Sequence, residues 1–355
     1  MAWRETVATR ALEISLPIVG GPMAGGPSTP ALAAAVSEAG GIGVLGCGYD
    51  TPDAVRAAIT EVRRLTSKPF GVNLFVPTSY EIDEGVIAAA IEALRPFAAK
   101  YDVELTADPP YAEDFEAQLE VIAAERVPLF SFTFGVPRPE LLAALRDAGS
   151  LTCGTATSLA EAIALRDADV DLICLQGTEA GGHRGGFIGP PEDSLVGIST
   201  LVAAAREAVD LPLIAAGGIM DGRGIAAALV SGAGAAQLGT AFLRCPEAGT
   251  SAPYRAALDG ARDTDTVITK AFSGRAARGI RNELSQALAS IPVPAYPVMN
   301  KLTRELRRRA AATGDSSMLS LWAGHGVAQG RALPARELIV ALEEETDAAF
   351  SGFDG

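Results

Sequence analysis

The sequence predicts an α/β chain folded as a (β/α)8, or TIM, barrel, and three observations carry that expectation. Eight short apolar runs alternate with alanine-rich stretches between residue 16 and about residue 245. Strand–helix alternation of this kind implies parallel strands joined by crossover helices. Glycines gather directly behind the runs, at Gly25, Gly26, Gly46, Gly48, Gly135, Gly177, Gly181, Gly182, Gly217, Gly218 and Gly239, and the chain holds 38 of them where a usual frequency of roughly 7% gives about 25. Glycine at a strand's carboxyl end lets a ligand approach the backbone, and barrel enzymes build their sites at that end. Eight units with this glycine placement favour a closed barrel over a doubly wound sheet.

The elements follow in order. Strands are expected over residues 16–20, 41–45, 70–76, 128–134, 150–155, 171–176, 211–216 and 235–240. Near-continuous apolar runs such as Leu172, Ile173, Cys174 and Leu175 suit strands covered on both faces. Helices are expected over 30–39, 51–65, 81–99, 139–148, 158–167, 199–209 and 222–230. Residues 101–114, with Pro109 and Pro110, read as an insertion before a further helix at 115–125. Behind the eighth strand, residues 245–297 mix Pro, Gly, Arg and Thr around one short strand candidate at 266–271, which predicts a small lid-like subdomain. Helices at 301–312 and 335–350 then return to pack on the barrel. The expected domains are a barrel of residues 1–244 and 298–355 and a lid of residues 245–297.

Composition narrows the function classes. With 355 residues, 48% of them apolar and 20% charged, the chain can bury a large core and is not disordered. Lys and Arg total 29 against 43 Asp and Glu, a net charge of −14, which repels a nucleic-acid backbone. Local backbone dipoles can still bind a small anion. Two histidines, His183 and His325, are too few for a multi-histidine metal site, and no metal is expected. Cys47, Cys153, Cys174 and Cys245 show no CxxC spacing and read as buried reduced thiols. Residues 1–15 carry Arg4, Glu5, Arg10 and Glu13 with no apolar core of a secretory leader. The uncharged stretch 224–243 is too interrupted, by Ser231, Gly232 and Gln237, to span a membrane. A cytoplasmic protein without membrane or nucleic-acid partners is expected, and a homo-oligomer is left open.

Three segments carry chemistry. A buried strand ending at Gly217 and Gly218, followed one strand later by Gln237, Leu238, Gly239 and Thr240, predicts a phosphate site. Backbone N–H groups and a helix N-terminus would make it, with the Thr240 hydroxyl as a further donor. His183 sits among Gly181, Gly182, Gly185 and Gly186 behind the sixth strand, a backbone too flexible and polar for a core but suited to holding an imidazole over a ligand. Glu179 either orients that ring or stays solvated, and Arg184 is a structural or substrate-steering charge. Asn73 lies inside the third strand, where asparagine is disfavoured, and so is expected to bond something in the barrel mouth. Its amide and that of Gln176 can both donate to and accept from a flavin-type ring edge.

The segments Pro17-Ile18-Val19-Gly20-Gly21-Pro22-Met23-Ala24-Gly25, Phe70-Gly71-Val72-Asn73-Leu74-Phe75, Glu179-Ala180-Gly181-Gly182-His183-Arg184-Gly185 and Ala215-Ala216-Gly217-Gly218-Ile219 resemble the nitronate monooxygenases, formerly called 2-nitropropane dioxygenases. The likeness continues through residues 237–242, 270–282 and 296–303. It implies an FMN-dependent barrel that oxidises alkyl nitronates, propionate 3-nitronate among them, with O2 to a carbonyl compound and nitrite by single-electron transfer to the flavin. It further implies that Met23, Asn73, Gln176, Gly181, Gly217, Gly218, Gln237, Leu238, Gly239 and Thr240 hold FMN. His183 matches the active-site histidine, and Tyr296 and Lys301 match a segment lining the substrate site. Lys301 or a helix N-terminus would supply positive charge near the flavin's N1/O2 edge. His325 stands where the family pattern has Gln, as a second imidazole or a Gln-like side chain near the ring. A neutral His183 would take the α-proton of a nitroalkane, and an N–H-donating or protonated one would hold a nitronate's oxygens. The same scaffold also carries NAD(P)H-dependent FMN reductases of the enoyl-[acyl carrier protein] reductase and quinone reductase kinds; no GxGxxG fingerprint is present here. A barrel that merely binds a phosphate ligand is the third reading.

Overall fold

In the computed structural model, which describes residues 2–352, eight parallel strands close into a TIM barrel. Its strands run in the order β1 (Ile18–Gly20), β2 (Ile42–Gly46), β3 (Phe70–Phe75), β4 (Leu129–Thr133), β5 (Leu151–Ala156), β6 (Leu172–Gln176), β8 (Leu213–Ala216) and β9 (Ala235–Leu238). The ring shuts where Val19 of β1 pairs with Gln237 of β9. The two-residue β7 (Gly182–His183) stands outside the barrel. All eight strands lie where the sequence puts them. The eighth ends at Leu238 and not at 240, because Gly239 leads into the helical turn Thr240–Phe242.

The helices are α1 (Val7–Leu12), α2 (Pro30–Glu38), α3 (Pro52–Leu65), α4 (Glu84–Lys100), α5 (Phe115–Ala124), α6 (Pro139–Asp147), α7 (Leu159–Asp167), α8 (Ile198–Ala208), α9 (Gly222–Val230), α10 (Ala252–Asp259), α11 (Glu283–Ala287), α12 (Val298–Ala312) and α13 (Ala335–Ser351). Their starts are written locally. Thr29, Thr51, Asp83, Asp114, Ser158 and Asp221 each accept a backbone N–H of the first turn, satisfying donors the helix itself cannot. None of the helices among the described residues is long and apolar enough to cross a membrane.

Packing leaves one end of the barrel open. Inside it, Val19, Val44, Leu172, Cys174 and Ile214 meet Ala8 and Leu12 of α1, which stops the amino end. Outside, the strands bury Ile18, Val72, Phe130, Ile173 and Leu213 against the helical layer. A separate apolar cluster joins Ala90 and Leu94 of α4, Leu258 of α10, Leu284 of α11, Met299, Leu302 and Leu306 of α12, and Leu321. Each such leucine or methionine, fully buried, contributes about 1.5–3 kcal/mol. α12 therefore shares its core with the 245–297 region, whereas α13 packs on α9 and α2.

The region behind the barrel holds more strand than its sequence shows. Where one strand is expected at 266–271, an antiparallel pair forms, β10 (Thr266–Thr269) with β11 (Ala277–Ile280). β11 also pairs with β7, placing Ala277 opposite His183. The Ala-Arg-Gly-Ile run of β11 and the Gly-His pair of β7 lack apolar alternation; their strand character comes from pairing across about ninety residues of chain.

Candidate active site

At the carboxyl end of the barrel lies a cavity of about 580 Å³, within the 300–1,000 Å³ typical of small-molecule sites. At one end the wall is backbone. Gly217 and Gly218 adopt φ of 127° and 70°, values an L side chain avoids. A Cβ on Gly217 would also come within 3.1 Å of the Ala180 nitrogen. The pair turns the chain between β8 and α9, whose cap Asp221 accepts Gly224 N–H at 2.9 Å. Across from it, Thr240 Oγ1 accepts Gly324 N–H at 3.0 Å, so the hydroxyl proton remains for a ligand. Gln237, Gly239 and Met23 complete this end. This set of main-chain turns and one hydroxyl suits a phosphate tail.

The middle of the wall carries amides. Asn73 Nδ2 donates to Ser131 Oγ at 2.8 Å, leaving Asn73 Oδ1 and one N–H toward the cavity it lines. Gln176 is more committed: its Nε2 donates to His183 O at 3.0 Å and its Oε1 accepts Gly185 N–H at 2.9 Å. It ties down the glycine loop first, with one N–H to spare.

At the other end stands His183. Its ring lies 5.8 Å from Phe134, 6.3 Å from Phe75, 5.9 Å from Tyr296 and 5.3 Å from Trp322. One polar atom reaches it, Ser273 Oγ, 2.7 Å from Nε2. The ring is half-buried by area because the cavity touches it, yet protein surrounds it on every other side. Burial, with the positive charges of Arg275 and then Arg307, pushes its pKa down to about 3. The imidazole is thus neutral at neutral pH in the resting site.

The charge around this end is one-sided. Arg304, Arg307 and Arg308 of α12 line the cavity, and no Asp or Glu does, in a protein of net charge −14. Arg307 donates to Asn300 Oδ1 at 2.7 Å and Asn300 O at 3.1 Å. Burial lowers its pKa to about 10, so it stays charged at neutral pH. Arg308 pairs with Glu305 at 2.6 Å. Among the described residues, Arg304 and Arg307 form no salt bridge.

Most of the residues singled out from sequence meet here: Met23, Asn73, Gln176, Gly181, His183, Gly217, Gly218, Gln237, Gly239 and Thr240 all line the cavity. Four do not. Strand alternation turns Leu238, fully buried, into the outer helical layer. Tyr296 stands behind His183 as part of its aromatic surround. Lys301 is not among the α12 residues that line the cavity, which are Asn300, Arg304, Arg307, Arg308 and Ala311. His325 is exposed, held by its own backbone N–H on Glu179 O at 3.0 Å. Glu179 neither orients His183 nor is merely solvated; its carboxylate accepts Ile198 N–H at 3.1 Å at the start of α8. Arg184 is structural: buried, it donates to Gly177 O at 2.8 Å, Gln176 O at 2.9 Å and Ser194 O at 2.7 Å. The α12 arginines went unread, although their spacing after Asn300, four, seven and eight residues on, is a helical face visible in the sequence.

The nitronate monooxygenase family model matches residues 7–345. A probable nitronate monooxygenase of Staphylococcus aureus (strain Newman) is 39% identical over 345 residues, covering 95% of this chain and 96% of that protein. Among solved structures, a nitroalkane oxidase from Streptomyces ansochromogenes superposes with a TM-score of 0.92 at 44% identity, over 98% of this chain and 99% of that one. FabK from Thermotoga maritima superposes with a TM-score of 0.78 at 31% identity, over 99% of both chains.

Proposed function

The chain belongs to the nitronate monooxygenase family, and from that premise we propose that it oxidises alkyl nitronates with FMN and O2 to a carbonyl compound and nitrite. That it is an oxidoreductase acting on nitro compounds, within a flavin-using family, follows from membership; the nitronate, FMN and oxygen are our reading. The observation that carries it is the cavity itself: one neutral imidazole, the guanidiniums of Arg304 and Arg307 outside any salt bridge among the described residues, and no carboxylate on the wall. A neutral or cationic substrate needs no such field, whereas a nitronate, an anion, is drawn into it. Arg304 and Arg307 favour a nitronate that carries a second negative group, such as propionate 3-nitronate.

The residues fit a flavin mononucleotide. The turn at Gly217 and Gly218, with Gly239 and Thr240, would hold its phosphate, and Met23, Asn73, Gln176, Gly181 and Gln237 its ring system. When bound, FMN supplies the one-electron acceptor that passes reducing equivalents to O2. The protein's own contribution is positional. Phe75, Phe134, Tyr296 and Trp322 keep water from His183, which strengthens every polar contact inside. His183 donates an N–H to a nitronate oxygen, or takes the α-proton of a nitroalkane. The arginines hold the anion's far end. The division into a flavin barrel and a lid belongs to this proposal, and the shared core of α12 with 245–297 favours counting residues 298–312 with the lid.

Anaerobic mixing tests the reading. A nitronate should bleach the visible flavin band and NADPH should not. Bleaching by NADPH alone would move the enzyme to the reductases.

A further inference from the structure

His183 has one ring nitrogen engaged and one open. Nε2 lies 2.7 Å from Ser273 Oγ. Nδ1 has no hydrogen bond from the protein, and it is not among the buried polar atoms left without partners, which in the described residues are Thr250 Oγ1 and Ser317 Oγ. Since the ring lines the cavity, Nδ1 is the atom a ligand meets. What Nδ1 offers, a lone pair or an N–H, is decided at the opposite side of the ring.

Ser273 is built to allow both. It is buried, 1% exposed, in the turn between β10 and β11. That turn is pressed against residues 294–296 by Gly274, where φ is 83° and a Cβ would meet Pro294 O at 2.2 Å. Its Oγ accepts Arg275 N–H at 3.3 Å and can donate to Arg275 O at 3.3 Å. The serine proton thus has two takers, Arg275 O and His183 Nε2. Given to Nε2, it leaves the imidazole proton on Nδ1, facing the cavity as a donor. Given to Arg275 O, it lets Nε2–H donate to Oγ and bares the Nδ1 lone pair. A carboxylate in this place would allow the second arrangement alone.

We propose that Ser273 is a positioning residue that lets a neutral His183 present either tautomer to the cavity, an Nδ1–H to an anionic nitronate and an Nδ1 lone pair to a neutral nitroalkane. In the second case the α C–H bond breaks, its electron pair passes into the nitro group, and the proton goes to Nδ1. The imidazolium so formed is paired with the nitronate it has just released. The surrounding charges support a neutral resting ring: Arg275, stacked at 4.0 Å on Phe134, and Arg307 of α12 both oppose a third positive charge, and Tyr49 and Tyr296 on the near side are held un-ionised by burial.

The inference rests on the nitro-compound reading, but its first test needs no turnover. With only two histidines in the chain, the flavin-loaded His325→Gln protein carries a single imidazole for nitrogen NMR. At neutral pH the Nε2 resonance should fall between the protonated and bare limits, and Ser273→Ala should send it to one limit. A wild-type resonance already at a limit and unmoved in the variant overturns the proposal. In turnover, Ser273→Ala should cost about tenfold in kcat/KM on a neutral nitroalkane, the worth of roughly one hydrogen bond, and less on the preformed nitronate. Ser273→Thr, which keeps the hydroxyl, should restore both signals and serves if the alanine variant does not fold. Equal losses on both substrates, or no rescue by threonine, refute the assignment. Absence of oxidation with any nitro compound would instead sink the functional reading and leave the NMR result standing.

Discussion

The two ends of the cavity are made of different material. At the Gly217, Gly218 and Thr240 end the groups that face a ligand are main-chain amides and one hydroxyl, fixed by β8, β9 and the backbone conformation that only glycine takes easily. At the His183 end they are side chains, held by a three-stranded sheet whose members come from residues 182, 266 and 277 onward and by rings from four separate segments. A backbone site is specified by a few neighbours in sequence and tolerates no side chain. A side-chain site is assembled from afar and can be altered one group at a time. The first end should fail by losing its ligand, the second by losing chemistry.

The largest effect should separate them. Gly217→Val forces a branched side chain onto φ of 127° and against the Ala180 backbone, a conformational cost of about 1–3 kcal/mol plus the clash. The variant should bind flavin at least about tenfold more weakly than wild type, each ~1.4 kcal/mol being tenfold in Kd, as read by flavin titration of the apoprotein. His183→Asn should keep the flavin and lose about 10²–10⁴ in kcat/KM on neutral nitroalkanes, with a smaller loss on nitronates. If His183→Asn comes out colourless, the two ends are not independent.

That difference also explains what could be read from the sequence. The barrel was legible because its strands are continuous apolar runs that alternate with alanine-rich stretches and end in glycines, all local signals. The glycine end was legible for the same reason: Gly217 and Gly218 stand beside the strand they terminate. His183 was legible as a residue, since a histidine among four glycines has no place in a core. Its setting was not. Ser273, Tyr296 and Trp322 lie ninety or more residues away, and β7 exists only by pairing with β11. Lys301 was named through the family likeness, which follows chain order, whereas the α12 residues on the cavity wall are Asn300, Arg304, Arg307, Arg308 and Ala311. Glu179 was misread because its partner, the start of α8, has no mark in the sequence beyond Gly197.

Next in size is the arginine face. Arg307→Met removes a charged donor from the wall while keeping most of the apolar stem. Charge-assisted hydrogen bonds are worth about 1.5–3 kcal/mol, so KM for a carboxylate-bearing nitronate should rise roughly 10–100-fold, with little change for a short alkyl nitronate. The same rise on both would mean that Arg307 shapes the site and does not read the substrate's second charge.

Acid stability gives a smaller contrast between the ends. The folded pKa of His183 lies near 3 against an ordinary 6.5, so between those values the unfolded chain binds the extra proton. Stability then rises with pH across that window and is lost on acidification from 6.5 toward 3. His183→Asn removes this contribution, and its denaturant midpoint should fall less steeply than wild type over the same range. Parallel curves would show that the ring is not held neutral in the folded protein.

The smallest expected effect tests the boundary of the site. His325 is exposed and contributes to the fold through its backbone N–H on Glu179 O, a bond any side chain leaves intact. Lys301 is not among the α12 residues that line the cavity. His325→Gln and Lys301→Ala should therefore each leave kcat/KM within about twofold of wild type, the scale of surface substitutions worth roughly 0.5 kcal/mol or less. The neighbours Trp322, Gly324 and Gly326 do line the cavity, so a large loss on His325→Gln would mean that this segment swings inward when substrate binds, bringing a second imidazole to the His183 end and making that end larger than the side chains now around it.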